Sequence, residues 1–422
     1  MSIKLRLTVM NFLQFGVWGA YLTSMGSYLA STSLASYIGL FYAMQGVVSI
    51  FMPAIMGIIA DRWVPAQRLL GVCHLLAALF IGGAGYYALS GGAESSVVPL
   101  FILYTLSVAF YMPTIALSYS VAYTLLERCG EDTVVAFPPI RVWGTVGFIC
   151  SMLACDFLGF QHSAMQFIQS AVIGATLALY CFSLPACPTA EDSGRRGVAE
   201  ALGVRAFALF KERRMALFFI FSMLLGVSLQ ITNGFANPFI SSFKGIPEFA
   251  STFGANHANA LISLSQISET LCILLIPFCL KRFGIKNVML IAMVAWVLRF
   301  ALFGLGNPGG GVWMFVLSMI VYGIAFDFFN ISGSLYVNEQ TDDSIRSSAQ
   351  GLFMIMTNGI GATIGTLSAQ AVVNRFVYSQ TDGVAQIAGW QTSWLIFAAY
   401  ALVVAVLFAI LFKRKYAQTK TA

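Results

Sequence analysis

Long apolar stretches alternate with short polar ones along the whole chain. Twelve apolar segments can be drawn, at roughly 7–29, 36–59, 69–90, 98–125, 138–158, 165–185, 214–240, 257–280, 287–305, 312–337, 347–372 and 391–412. About 20 apolar residues cross the hydrocarbon of a bilayer as a helix, and a helix satisfies its own backbone hydrogen bonds over that length. Barrel strands run about 10 residues and alternate in polarity, which these segments do not. The pattern predicts an all-α integral membrane protein. One longer polar stretch, from Pro185 to Arg214, splits the spans six and six. The domain reading is a six-helix bundle over 1–185, a linker over 186–213 and a second six-helix bundle over 214–422. Within the linker, the segment VAEALGVRAFALFKE (198–212) has helical spacing and is expected to lie along the membrane surface.

Composition and charge sharpen the picture. The chain is 59% hydrophobic and 9% charged, where a soluble chain carries about 25% charged residues. With the N-terminus inside, 19 of the 23 Lys and Arg residues fall on the cytoplasmic side. Lys244 and Arg375 fall opposite, and Arg141 and Arg299 fall within spans. Basic residues favour the cytoplasmic side, so both termini are expected there. The net charge of +6 then reflects topology and contact with anionic membrane lipids, not nucleic-acid binding. The first span is too long for a signal sequence and lacks a small-residue cleavage site, so it is read as a retained helix. The eight cysteines and three histidines are dispersed, with no metal-ligand spacing. No nucleotide loop or nucleophile–base arrangement is present, so an enzyme is not expected, nor is a cofactor.

The segment from Val312 to Val337 carries the most pointed chemistry. Asp327 lies past its middle, flanked by Phe326, Phe328 and Phe329. A charged side chain in lipid costs about 2.5–3.5 kcal/mol on insertion scales. A wet cavity, a cation or a proton would offset that cost, and each points to transport. A structural ion pair is the plain alternative. The halves also show weak internal similarity: AFYMPTIALS (109–118) aligns with AFDFFNISGS (325–334), so Tyr111 matches Asp327. Two six-span halves suit an alternating-access carrier with its site at their interface.

Polar groups inside spans tend to be functional, and three further clusters stand out. Arg141, Thr145 and Phe148 share one helical face and combine a guanidinium fork, a hydroxyl and a ring. Gln230 and Asn233 are one turn apart, and amides both donate and accept, which suits a base edge or sugar diol. Gln266 and Glu269 repeat that spacing. The fourth cluster is Tyr322, Phe326 and Asp327, where aromatic faces beside the acid suit a planar ring. The plain alternatives are a helix anchor for Arg141, interhelical hydrogen bonding for the amides, and an ion pair between Glu269 and Arg299. Together the clusters lack the excess positive charge that a phosphorylated substrate needs. They fit a neutral, polar, partly planar molecule: a nucleoside, or less well a sugar.

Two levels of resemblance follow. The loop GIIADRWVPAQR (57–68) resembles the signature between spans two and three of the major facilitator superfamily, without its second Gly after Arg62. Over nearly the whole chain, NFLQFGVWGAYLTSMGSYL, FPPIRVWGTVGFI, ALFFIFSMLLGVSLQITN, SQISETLCIL, LSMIVYGIAFDFFNISGS and SSAQGLFMIMTNGIG resemble the bacterial nucleoside:proton symporters of that superfamily. The resemblance implies a major facilitator fold and uptake of purine and pyrimidine nucleosides, such as uridine, cytidine and adenosine, across the bacterial inner membrane. The driving force would be the proton gradient. It implies substrate contacts at Arg141, Thr145, Phe148, Gln230, Asn233, Gln266, Glu269, Tyr322 and Phe326, with Asp327 tied to proton coupling; Glu269, which also lies deep in a span, is the rival proton site. A narrower xanthosine-type permease, a sugar:proton symporter and an exporter of lipophilic compounds are the alternatives.

Overall fold

The computed structural model describes residues 2–91, 96–187, 204–341 and 343–413. Among them every regular element is helical. The α-helices are α1 Ile3–Gly19, α2 Met25–Ala30, α3 Ile38–Arg62, α4 Ala66–Leu89, α5 Val97–Arg128, α6 Thr133–Phe157, α7 Met165–Phe182, α8 Arg213–Ser242, α9 Phe253–Asn256, α10 Ala258–Ile273, α11 Ile276–Leu305, α12 Val312–Gln340, α13 Asp343–Met354, α14 Ala362–Val373 and α15 Gly383–Leu411.

Among the described residues, ten helical stretches are long and apolar enough to cross a membrane. The remaining two spans are broken ones. The first joins α1 and α2 through a turn at 20–24. The eighth joins α10, across Leu274 and Leu275, to the start of α11. It ends at Gly284, whose φ of 75° and ψ of 163° reverse the chain before the ninth span begins. That conformation is open to glycine and strained for other residues. The eleventh span runs from α13 to α14 through a π-turn, Ile355–Gly361, and ends in a second, Asn374–Tyr378. Twelve membrane helices result, at the places the apolar pattern predicts. Prolines 53, 113, 138, 139 and 238 sit inside them, as membrane helices tolerate when neighbours re-satisfy the backbone. Large apolar side chains such as Leu79, Tyr86, Leu179 and Ile410 are exposed. Such a surface is natural against lipid and unusual against water.

Contacts divide the chain into two compact units: Met1–Leu34 with Val47–Ala201, and Ala35–Gly46 with Leu202–Ala422. The start of the second span therefore packs with the second unit, where Gly39 N donates to Gln370 Oε1 at 2.5 Å and Gln370 Nε2 donates to the Ala35 carbonyl at 3.1 Å. In the first unit α1 and α6 cross closely through glycines. A Cβ at Gly147 would fall on the Phe12 carbonyl, and one at Gly19 on the Phe148 carbonyl. In the second unit α8 meets the eleventh span in the same way. A Cβ at Gly226 would strike the Thr357 carbonyl, and one at Gly365 the Val227 carbonyl. Small residues let membrane helices approach where lipid offers no hydrophobic drive. The second unit also has an aromatic core, in which Phe303 stacks on Trp394 at 4.6 Å and Phe239 meets Trp390, Trp394 and Phe315.

The expected surface helix at 198–212 falls partly outside the described residues; its later part, Val204–Lys211, is a 3-10 helix. The linker residues 188–203, the side chains of Asp61 and Arg62 in the signature loop, and the C-terminal residues 414–422 also lie outside the described residues.

Candidate functional site

In the first unit, Arg141 and Phe148 line up along α6 where it crosses α1. The Arg141 guanidinium lies 4.0 Å from the centroid of the Phe15 ring and donates from Nε to Tyr119 Oη at 2.6 Å. Gly144, one turn away, leaves the room that this stack needs: a Cβ there would press on Phe15 at 2.6 Å and on Arg141 Nη1 at 3.0 Å. Phe148 is buried and meets Trp18 edge-on at 6.5 Å. Thr145, between them on the helix, is half-buried. Behind this face lies a polar network that joins three helices. Gln14 Nε2 donates to Thr114 Oγ1 at 2.7 Å, and His74 Nε2 lies 2.6 Å from Gln14 Oε1. With its amide nitrogen committed, Gln14 accepts through oxygen, which assigns the proton of the His74 ring to Nε2. Tyr111 Oη donates to the Gln14 carbonyl at 2.9 Å. Sequence reading treated His74 as dispersed because its partner lies 60 positions away.

The second unit holds the other candidates. On α8, Asn233 Nδ2 donates to Gln230 Oε1 at 2.7 Å, so the one-turn spacing does bring the two amides together. On α10, Gln266 and Glu269 are half-buried, and among the described residues the Gln266 amide makes no hydrogen bond. α10 is fixed against α12 by contacts on its Ser265–Ser268 side: Ser265 Oγ donates to Met319 Sδ at 3.0 Å and Ser268 Oγ to the Ile320 carbonyl. Gly323 makes that approach possible, since a Cβ there would meet the Ser268 carbonyl at 2.6 Å. Asp327, one turn beyond Gly323, is 5% exposed and lies within electrostatic reach of Cys272 and Tyr322. Tyr322 stacks on Phe326 at 5.6 Å with an interplanar angle of 14°, and Glu269 and Arg299 also act on it.

Arg299 is not the partner of Glu269. It is buried, donates to the Ser318 carbonyl at 2.7 Å and lies 4.4 Å from the centroid of the Tyr322 ring. Among the described residues it makes no ion pair. α10 and α12 thus hold two carboxylates, an uncommitted amide and a stacked aromatic pair side by side.

The comparisons with known proteins decide what such a set belongs to. The family model for nucleoside H+ symporters matches residues 1–417. The chain belongs to the nucleoside H+ symporter family. It is 46% identical over 424 residues to the nucleoside permease NupG of Escherichia coli (strain K12), covering 100% of this chain and 98% of the relative. It is 48% identical over 416 residues to the xanthosine permease of the same organism, covering 98% and 96%. The crystal structure of a mutant of the nucleoside transporter NupG superposes with a TM-score of 0.92 at 46% identity, covering 98% of this chain and all of that one. A D-xylose-proton symporter, 13% identical over 99% of both chains, superposes at 0.72 and shares the fold alone. This symporter is therefore a multi-pass membrane transporter of the major facilitator fold, not an enzyme, and its substrates are nucleosides and protons.

Among the described residues no group of three or more His, Cys, Asp and Glu side chains is placed to hold a metal, and all eight cysteines are free. Cys187, beyond the sixth span, is buried, and burial pushes its thiol above the usual range. Sequence reading missed the His74–Gln14–Thr114 network, Trp18 against Phe148, and a cleft beside Phe326 lined by Trp296, Asn330 and Thr357.

Proposed function

We propose that this symporter imports both purine and pyrimidine nucleosides, uridine, cytidine and adenosine among them, across the bacterial inner membrane. The observation that carries the reading is the α10–α12 pair. Gln266 offers an amide with no internal partner, Glu269 an acceptor one turn on, and Tyr322 with Phe326 a stacked aromatic face. Ribose hydroxyls and a planar base need those three things. Gln230 and Asn233 add two further amides in the same unit, and Arg141, Thr145 and Phe148 are the candidate nucleoside contacts of the first unit. Functionally, the halves 1–185 and 214–422, joined by 186–213, work as two bundles with both termini cytoplasmic.

Asp327 carries the proton. A charged carboxylate in a membrane interior is expensive, Asp327 is 5% exposed, and taking a proton from outside removes its charge. The loaded carrier then reorients without that charge in its low-dielectric interior, and release of nucleoside and proton inside resets the cycle.

The test is uptake into proteoliposomes under an inward proton gradient, with uridine, cytidine, adenosine, inosine, xanthosine and xylose. Accumulation of purine and pyrimidine nucleosides, abolished by a protonophore and not competed by xylose, supports the broad range. A narrow range is the second reading, favoured by the 48% identity to a xanthosine permease. Accumulation of xanthosine with the other nucleosides excluded establishes it in place of the first.

A further inference from the structure

Apart from Phe326, the cleft beside that ring is formed by residues that no substrate role yet uses. Leu225, Gly226 and Leu229 of α8, Trp296 of the ninth span, Ala325, Phe326 and Asn330 of α12, and Thr357 of the π-turn line it. Its free volume is about 10 Å³, roughly the space that one water occupies. A single heavy atom enters and a ring does not. The width is set by the glycine crossing, since Gly226 lies directly against the Thr357 backbone. The π-turn that presents Thr357 is a feature found often at functional sites.

Two of the residues that line this cleft carry polar groups without internal partners among the described residues. Trp296 is 1% exposed, and its indole Nε1 has no acceptor among the described residues. Asn330, one helical turn from Phe326, is half-buried, and its amide makes no hydrogen bond among them. Thr357 differs, since its hydroxyl donates to the Phe353 carbonyl at 2.9 Å. An indole N–H only donates, whereas an amide donates and accepts. A buried donor calls for an acceptor, and leaving it unmet is costly.

We propose that this cleft is a specificity subsite for the exocyclic oxygen of a nucleobase, held by the Trp296 indole N–H and the Asn330 amide. The proposal rests on the reading that Phe326 meets the base. A base stacked on Phe326 presents its edge to the lining of the cleft, and one exocyclic atom is what the space admits. An oxygen accepts from Trp296. An amino group at the same place sets N–H against N–H and leaves the indole unpaired.

The test compares nucleosides that share their ribose and differ at one exocyclic group: uridine with cytidine, and inosine with adenosine. Inhibition constants on the wild-type symporter are expected to favour the oxo member of each pair by about tenfold. Trp296→Phe keeps a ring and removes the donor. It should weaken uridine and inosine by about tenfold and leave cytidine and adenosine within about twofold, collapsing the preference. Asn330→Leu should narrow it in the same direction. Equal affinity within each pair on the wild type, or equal losses for oxo and amino members in either variant, overturns the subsite. The wild-type comparison stands even if a variant fails to fold. Absence of binding by all four nucleosides would instead contradict the broad substrate range.

Discussion

Tyr111 and Asp327 hold matching places in two internally similar segments, yet their surroundings differ. Tyr111 gives its hydroxyl to a backbone carbonyl of α1 and sits beside a histidine, a glutamine and a threonine linked by hydrogen bonds. Asp327 sits on a helix whose neighbouring groups include a second carboxylate and an amide that makes no hydrogen bond among the described residues. Both units bring their helices together by the same device, glycines set against a facing carbonyl. The difference therefore lies in the polar interior, not in the scaffold. In the first unit the groups around Tyr111 are linked by hydrogen bonds, while His74 Nδ1 and the Trp18 indole N–H stay without partners among the described residues. In the second, the Gln266 amide and the Trp296 indole N–H make no hydrogen bond among the described residues, and the proposed nucleoside contacts draw on both.

That contrast can be broken in several places. The largest effect is expected where scaffold is attacked. In Gly365→Ala the new methyl meets the Val227 backbone. Overpacking of this kind costs about 1–3 kcal/mol, occasionally more. Thermal unfolding in detergent should shift down, and nucleoside uptake should fall with it. An unchanged transition would show that the two helices do not need that approach. Gln266→Ala acts on chemistry instead. Losing one partner of a buried polar group costs about 1–3 kcal/mol, so uridine binding should weaken by about tenfold or more with unchanged folding. Intact affinity in the folded variant would remove Gln266 from the contact set.

Phe326→Leu should cost several-fold. Base stacking is worth about 1–3 kcal/mol by analogy with single-strand binders, and leucine retains part of the contact. Nucleosides should suffer more than free ribose derivatives; equal losses would mean that the ring only packs. The smallest functional effect belongs to the first unit. His74→Gln disturbs the hydrogen bond to Gln14 and should lower stability by about 1 kcal/mol. The pH profile of uptake should stay where it is. A shifted profile would move part of the proton chemistry into the first unit.

Much of this was legible in the sequence, because the bilayer imposes a length on every span. Even the broken first and eighth spans were found, since a turn at Leu274 and Leu275 does not interrupt the apolar run. Spacing also predicted the Gln230–Asn233 pair. Long-range pairings were not legible: nothing local announces that residues 35–46 pack with the second unit, or that His74 meets Gln14. Trp296 and Asn330 escaped notice for a different reason. A tryptophan in an apolar helix reads as core, and only the structure reveals a buried donor without an acceptor. The proposed Glu269–Arg299 pair failed because Arg299 finds a carbonyl and a tyrosine ring nearer at hand.

The central claim is that the second unit couples transport to the proton through Asp327. Reconstituted symporter under an inward proton gradient tests it most directly, with the internal to external ratio of labelled uridine read beside uridine–uridine exchange. Asp327→Asn imitates the protonated acid. It should keep exchange and bring the ratio down to one, while Glu269→Gln, even with weaker binding, still accumulates. Accumulation of uridine against its gradient by Asp327→Asn, abolished by a protonophore, would contradict the assignment.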